Sequence, residues 1–377
     1  MNFKSLMLGA AAAAAATGAQ AADLPVAPEP VDYVRVCDAY GARFYYIPGT
    51  ETCLRVGGRV RADYATNNFA DDGDWAGRTT GASFDAKGYL YLDARSNTEF
   101  GLLRAFIEYE ISAANVDALG KAYIQWGGLT FGHVGSFFDF PIGQVFVNPV
   151  GRNWSDLTTE LAAYTATFGN GFSATISVED AANRNVGATN AGAMKFPDLV
   201  ANVRVDQGWG SAQLSGALHN VRPTSAADEG ALGWAINGGV AVNLPMVNSG
   251  AKVAFNAAYA DGALAYLNVG STATAQGVPI YDAAPNGDTS TGYAIGAGFF
   301  LPATSTVNFG VDGSYANIEA GNSTADVTHW AVNGSVEWVP VSGLQMGVGI
   351  GYSNTDLSTV AGDDETLAAT FRIQRTF

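Results

Sequence analysis

The stretch CLRVGGRVRADY, Cys53 to Tyr64, divides into two interleaved sets of unlike chemistry. Leu54, Val56, Gly58, Val60, Ala62 and Tyr64 form one, in which only the tyrosine hydroxyl is polar. Arg55, Gly57, Arg59, Arg61 and Asp63 form the other. A period of two describes a β-strand, so this strand has one apolar face and one charged face. Its apolar side needs a greasy neighbour and its arginine side needs water or counter-charge.

Composition narrows what such a strand can belong to. Gly (46), Phe (20) and Tyr (16) are abundant, while charged residues reach only 14%. That is well below the usual quarter, so the surface is not that of an ordinary soluble protein. The net charge of −16 argues against nucleic acid as a partner. No stretch beyond the N-terminus approaches the length of apolar sequence that a membrane-spanning helix requires.

The N-terminus reads as an export signal. Lys4 precedes an apolar run from Leu6 to Ala16, and Ala19 and Ala21 supply an A-x-A cleavage pattern. Residues 1–21 are therefore expected to be removed, leaving about 355 residues, enough for one large barrel. The alternative, a retained anchor helix, fits the short alanine-rich run and its polar, proline-containing sequel less well. Cys37 and Cys53 are the only cysteines. In an exported chain they are expected to close a local disulfide loop, worth about 3 kcal/mol on chain-entropy grounds. Residues 22–53 then form a periplasmic segment, and no histidine lies close enough in sequence to suggest a metal site.

Period-two segments recur along the rest of the chain. Strands are expected near 54–65, 85–95, 99–110, 118–127, 128–135, 159–168, 172–180 and 198–207, then near 210–220, 231–243, 251–260, 290–301, 305–315, 328–339, 344–353 and 366–377. Most are about ten residues long, the length a tilted strand needs to cross a bilayer. Long connections such as ATNNFADDGDWAGRTTGAS alternate with short ones such as SNT, GNG and PVSG. This asymmetry and the even count describe a 16-stranded antiparallel up-and-down transmembrane β-barrel over residues 54–377, with both termini on the periplasmic side.

Faces follow from the cost of charge. Asp85, Lys87, Asp93 and Arg95 alternate with Ala86, Gly88, Leu90, Leu92 and Ala94. An Arg or Lys facing lipid at mid-depth costs roughly 2–4 kcal/mol, so the charged set must face an aqueous lumen. Trp126, Trp338, Tyr352 and Phe377 near strand ends suit interfacial girdles. Sixteen strands enclose more space than side chains fill, so a selective channel needs a constriction. Residues 136–157, with FFDFPIGQVFVNPV, are too apolar for a solvated loop, and folding inward would bury that patch. Asp139 and Asp156 would then stand beside the channel, across from Arg55, Arg59, Arg61, Arg95 and Arg104, with Lys87 nearer one mouth. Acid on the loop and guanidinium on the wall would set up a transverse field. The acid excess points to weak cation selectivity, although much of it lies in outside loops and the arginine wall pulls the other way locally.

The stretches YVRVCDAYGARFYYIPGTETCLRVGGRVRADY, AYIQWGGLTFGHVGSFFDF and FRIQRTF, with the leader and the APEP after it, resemble the general porins of alphaproteobacteria, of the Brucella and Rhizobium kind. The resemblance covers both ends and the third-loop region, and the middle of the chain only in pattern. It implies a homotrimer of sixteen-stranded barrels in the outer membrane. It also implies passive diffusion of small hydrophilic solutes and ions, and a third loop beginning around GSFFDF that constricts each pore. The long 261–289 loop has no match in that pattern. Trimer contacts are expected on the Gly- and Ala-rich first and last strands.

Other classes fit less well. A hydrolase would need a nucleophile with a base, and His133, His219 and His329 have no motif partners. No enzyme activity and no cofactor are expected. A gated transporter would carry a plug domain, and the sequence before Arg55 is too short for one. An outer-membrane adhesin or structural barrel with a blocked lumen is the remaining alternative, separable by single-channel conductance.

Overall fold

The computed structural model describes residues 35–66, 68–69, 81–113, 118–186, 196–221, 230–268, 280–284, 287–321, 326–359 and 362–377. The leader, its cleavage point and APEP lie outside these residues. Among the described residues seventeen strands run in chain order. They are β1 Tyr45–Tyr46, β2 Cys53–Thr66, β3 Ala82–Thr98, β4 Gly101–Ser112, β5 Ala118–Trp126, β6 Leu129–Gly135, β7 Thr158–Gly169 and β8 Phe172–Glu179. The others are β9 Asp198–Gln207, β10 Gly210–Val221, β11 Ala231–Asn243, β12 Lys252–Asp261, β13 Thr291–Pro302, β14 Val307–Glu319, β15 Asp326–Val341, β16 Leu344–Leu357 and β17 Asp364–Thr376.

Strands β2 to β17 each pair antiparallel with their sequence neighbour, and β17 pairs back onto β2 through Phe371 opposite Tyr64 and Gln374 opposite Arg61. The ring is therefore a closed sixteen-stranded barrel with no free edge. All sixteen expected strands are present. Their ends differ where pairing continues beyond the alternating pattern: β3 starts at Ala82 and β16 runs to Leu357. The first short turn is also displaced. Thr98 pairs with Gly101, so Glu99 and Phe100 make the turn and SNT stays in the strand. Asn170 and Gly171, at φ 50° and 78°, supply the two left-handed residues of a tight hairpin turn between β7 and β8.

The apolar set of each strand faces out. Val60 is 55% exposed, Val203 56% and Ile350 53%, which no packed core would allow. Trp126, Trp338 and Phe377 are exposed on the same outer surface. At one end the chain before the barrel folds against β2. Tyr45 and Tyr46 pair with Leu54 and Cys53, and a Cys37–Cys53 disulfide closes the segment over a buried Phe44.

Candidate functional site

Residues 136–157 lie against one face of a long arc of wall. Phe137 O accepts from Asn202 on β9 (2.6 Å), and Phe138 O from Ser215 on β10 (2.7 Å). Farther along, the Gln144 amide donates to Asp312 on β14 (3.1 Å), and the Phe146 amide to Ser335 on β15 (2.8 Å). Phe146 O accepts from Arg372 on β17 (3.2 Å). One short segment touching β9 through β17 can do so only from the concave side of a closed ring. The apolar side chains Phe138, Phe140, Ile142, Val147 and Trp154 are at most 3% exposed there.

Glycines make this approach possible. Gly296 lies under Ile142, Gly347 under the Phe146 ring and Gly349 under the Val147 backbone; a Cβ on Gly347 would come within 2.7 Å of Phe146 Cδ1. The opposite faces of these strands carry exposed Val348 and Ile350. Alternation of Gly inside with Val or Ile outside in GVGIGY was visible in the sequence, though not read as a track for the loop.

The loop's stem is held by groups that sequence reasoning missed. Glu179, at the end of β8, accepts from Ser136 Oγ (2.6 Å) and the Phe137 amide (3.0 Å). Asp139 accepts from Ser155 Oγ and from the Leu157 amide (2.7 Å), and Arg184 stands 3.5 Å away. Asp139 thus ties the loop to itself instead of facing the arginines of β2–β4, because Arg184 is closer than any of them. Asp156 is exposed.

A second connection packs on the first. The single turn Leu264–Leu267 is buried, and Tyr266 meets Phe138 edge-on at 4.6 Å. Asn268 donates to Arg152 O (2.8 Å). Beneath lies a cluster of polar groups with no solvent exposure. His219 contacts Asp198 (2.9 Å) and, more distantly, Asp282 (4.0 Å), while Tyr266 donates to Asp198 (2.7 Å). Burial pushes the Asp282 carboxyl up to about 6, against the pull of His219 and of the Val186 and Leu264 amides. The described residues of the 261–289 connection therefore turn inward and brace the loop before them.

The wall of β2 to β4 carries the expected cations in two distinct arrangements. Arg55, Arg95 and Arg104 converge on Asp93: Arg95 at 2.7 Å, Arg104 at 2.9 Å and Arg55 at 3.4 Å. Asp93, 1% exposed, is the hub of this group. Phe44 of the disulfide-closed segment stacks under Arg55 and Arg95 at 5.1 and 5.0 Å. Lys87 is engaged by Glu110 at 2.7 Å. Arg59 and Arg61 instead lie over the Tyr89 ring, at 3.9 and 5.5 Å from its centre. Such an arrangement holds fixed charge on a partly exposed wall.

Comparison with known proteins agrees with this geometry. Residues 23–374 match the family described as Porin subfamily. Porin Omp2b of Brucella suis biovar 1 is 42% identical over 236 residues, covering 56% of this chain and 64% of that protein. The match thus spans just under two thirds of the relative's length. The outer membrane channel DcaP of Acinetobacter baumannii superposes with a TM-score of 0.71 at 16% identity, covering 88% of this chain and 99% of that one. OmpT of Vibrio cholerae, in a trimer form, gives 0.60 at 11% identity, covering 87% and 100%. At these identities the structural likeness concerns the fold.

Proposed function

Because the chain belongs to the Porin subfamily, we propose that it is an outer-membrane porin, a water-filled barrel through which small hydrophilic solutes and ions diffuse passively. The observation that carries this reading is the closed ring of sixteen strands with aliphatic side chains outside and ionic ones inside. Hydrocarbon satisfies the first surface and water the second, so the molecule is stable only as a lined hole through a bilayer.

Selection then follows from size and charge alone. The passage runs between the loop of residues 136–157 and the wall of β2 to β5, and the groups proposed to line it are Arg55, Arg59, Arg61, Lys87, Arg95 and Arg104. Of the loop carboxylates, Asp156 faces solvent and acts directly, whereas Asp139 acts by holding the loop's shape. Solutes move down their gradients with no bond made and no energy source, so the protein is a channel and not an enzyme. Export by a cleaved 1–21 leader, a periplasmic 22–53 segment and assembly as a homotrimer in outer-membrane lipid complete the proposal.

A barrel with a blocked lumen would serve as an adhesin or structural element. The dry cluster under Leu264–Leu267 fills the side of the lumen lined by β9 to β16. The half-exposed ions of β2 to β4 support an open passage on the other side. Purified protein in a planar bilayer is expected to give steady single-channel steps in potassium chloride. Silence at all voltages, with the barrel shown folded by its heat-modifiable migration, sinks the porin reading in favour of the blocked one.

A further inference from the structure

We propose that Arg59 and Arg61 form an oxyanion clamp on the inner wall, where solutes carrying a carboxylate or a phosphate bind in transit. The inference rests on the porin reading and adds a ligand class to it.

The starting point is how the cations of this wall are neutralised. Arg55, Arg95 and Arg104 share Asp93, Lys87 has Glu110, and Arg372 has Asp63 at 2.7 Å. Among the described residues, Arg59 and Arg61 form no ion pair and no hydrogen bond through their guanidinium groups. They stand two apart on one face of β2, a separation of roughly 7 Å along the strand. Across the sheet Arg61 sits opposite Lys87 on β3 and Gln374 on β17, and Arg59 opposite Tyr89 and Thr376. Neither has a carboxylate as its direct cross-strand neighbour.

Two like charges held side by side repel, and the ring face of Tyr89 is what offsets that here. The ring also orients them. The Nε atom of each is buried and without a partner, so that edge of each fork is turned to the wall. The Nη groups are not buried, and they are the donors left for something in the lumen. A planar guanidinium recognises carboxylate and phosphate through paired N–H groups, and two adjacent forks suit a group with several oxygens. A neutral sugar would leave both charges uncompensated. An oxyanion removes the repulsion and fills the free donors in one step, which is why the ligand class is anionic in a chain whose net charge is −16.

The test uses the full-length trimer in planar bilayers with potassium chloride, adding citrate or inorganic phosphate to one side as the probe. In the native channel both are expected to produce concentration-dependent interruptions of current; block by one alone assigns the clamp to that oxyanion. In R59Q/R61Q the half-blocking concentration rises about tenfold or more. R204Q, on β9 and paired with Asp206, leaves it unchanged. R59K/R61K, which keeps both charges without the fork geometry, is expected to lose at least about threefold of the affinity. A conducting native channel that neither anion blocks overturns the clamp while leaving the porin reading intact. So does block that survives unchanged in R59Q/R61Q or in R59K/R61K. A channel that conducts nothing overturns both.

Discussion

Asp93 lies 1% exposed on β3 and takes hydrogen bonds from Arg55, Arg95 and Arg104. One carboxylate serving three guanidiniums leaves the group with two net positive charges, yet no member of it is without a partner. Removing the hub leaves three cations facing each other with no acid between them. Asp93→Asn is therefore expected to destabilise the barrel by on the order of 3 kcal/mol, the range for breaking a buried pair. A urea unfolding midpoint equal to the native one would contradict this. Asp282 gives the second residue-scale expectation. Its folded pKa of about 6 exceeds the unfolded value near 3.9, so the native state holds the proton more tightly. The stability it contributes is full below pH ~4 and is lost as pH rises through about 6, by on the order of 3 kcal/mol in all. His219, Asp198, Tyr266 and Arg184 are the charged or titratable groups around it. Hydrogen exchange at Leu264–Leu267, corrected for intrinsic rates, should quicken from pH 5 to pH 8 in the native chain. In Asp282→Asn the quickening should be smaller, with the remainder due to His219, which still faces Asp198 at 2.9 Å, and equal slopes in the two would remove Asp282 as a cause.

Among the elements, the strands were readable because each reports its own surroundings. RVGGRVRADY alternates because water lies on one side and hydrocarbon on the other, and GVGIGY because hydrocarbon lies on one side and the packed loop on the other. Strand ends were less readable, since β3 and β16 continue pairing where neither solvent contrast nor alternation marks them. The loop of residues 136–157 shows the dependence running the other way. Its apolar sequence says that it must be covered, and the glycines of β13, β14 and β16 decide what covers it. Gly349→Leu would drive a side chain into the Val147 backbone, an overpacking that costs roughly 1–3 kcal/mol. Limited proteolysis within 136–157 should accelerate in that variant, while the outward Val348→Leu should digest like the native protein. Equal digestion of both would mean that the loop is not seated by this wall.

For the whole molecule, ring closure turns a row of amphipathic strands into two separate solvents. Once β17 meets β2, Arg372 finds Asp63 across hundreds of residues of chain, and the loop's Phe146 carbonyl finds Arg372. The lumen is then asymmetric. Its β9 to β16 side is packed with the loop and the turn at Leu264–Leu267, while its β2 to β4 side keeps solvated charge. Steady conductance in bilayers and anion block through Arg59 and Arg61 both belong to this scale, since each requires the closed ring with that half left open.

Strand number and the apolar outer face were readable in the sequence alone, because the alternation of greasy and ionic side chains is a local record of the medium on each side. Which arginines share an acid and which stand free was not. Arg55 and Arg59 look alike in sequence, and only the register of β2 against β3 puts Asp93 beside one and Tyr89 beside the other. Likewise Asp139 reads as a free loop acid until folding brings Arg184 and Ser155 to it. Charge pairing is a matter of a few ångströms across strands, and those distances exist only after the barrel has closed.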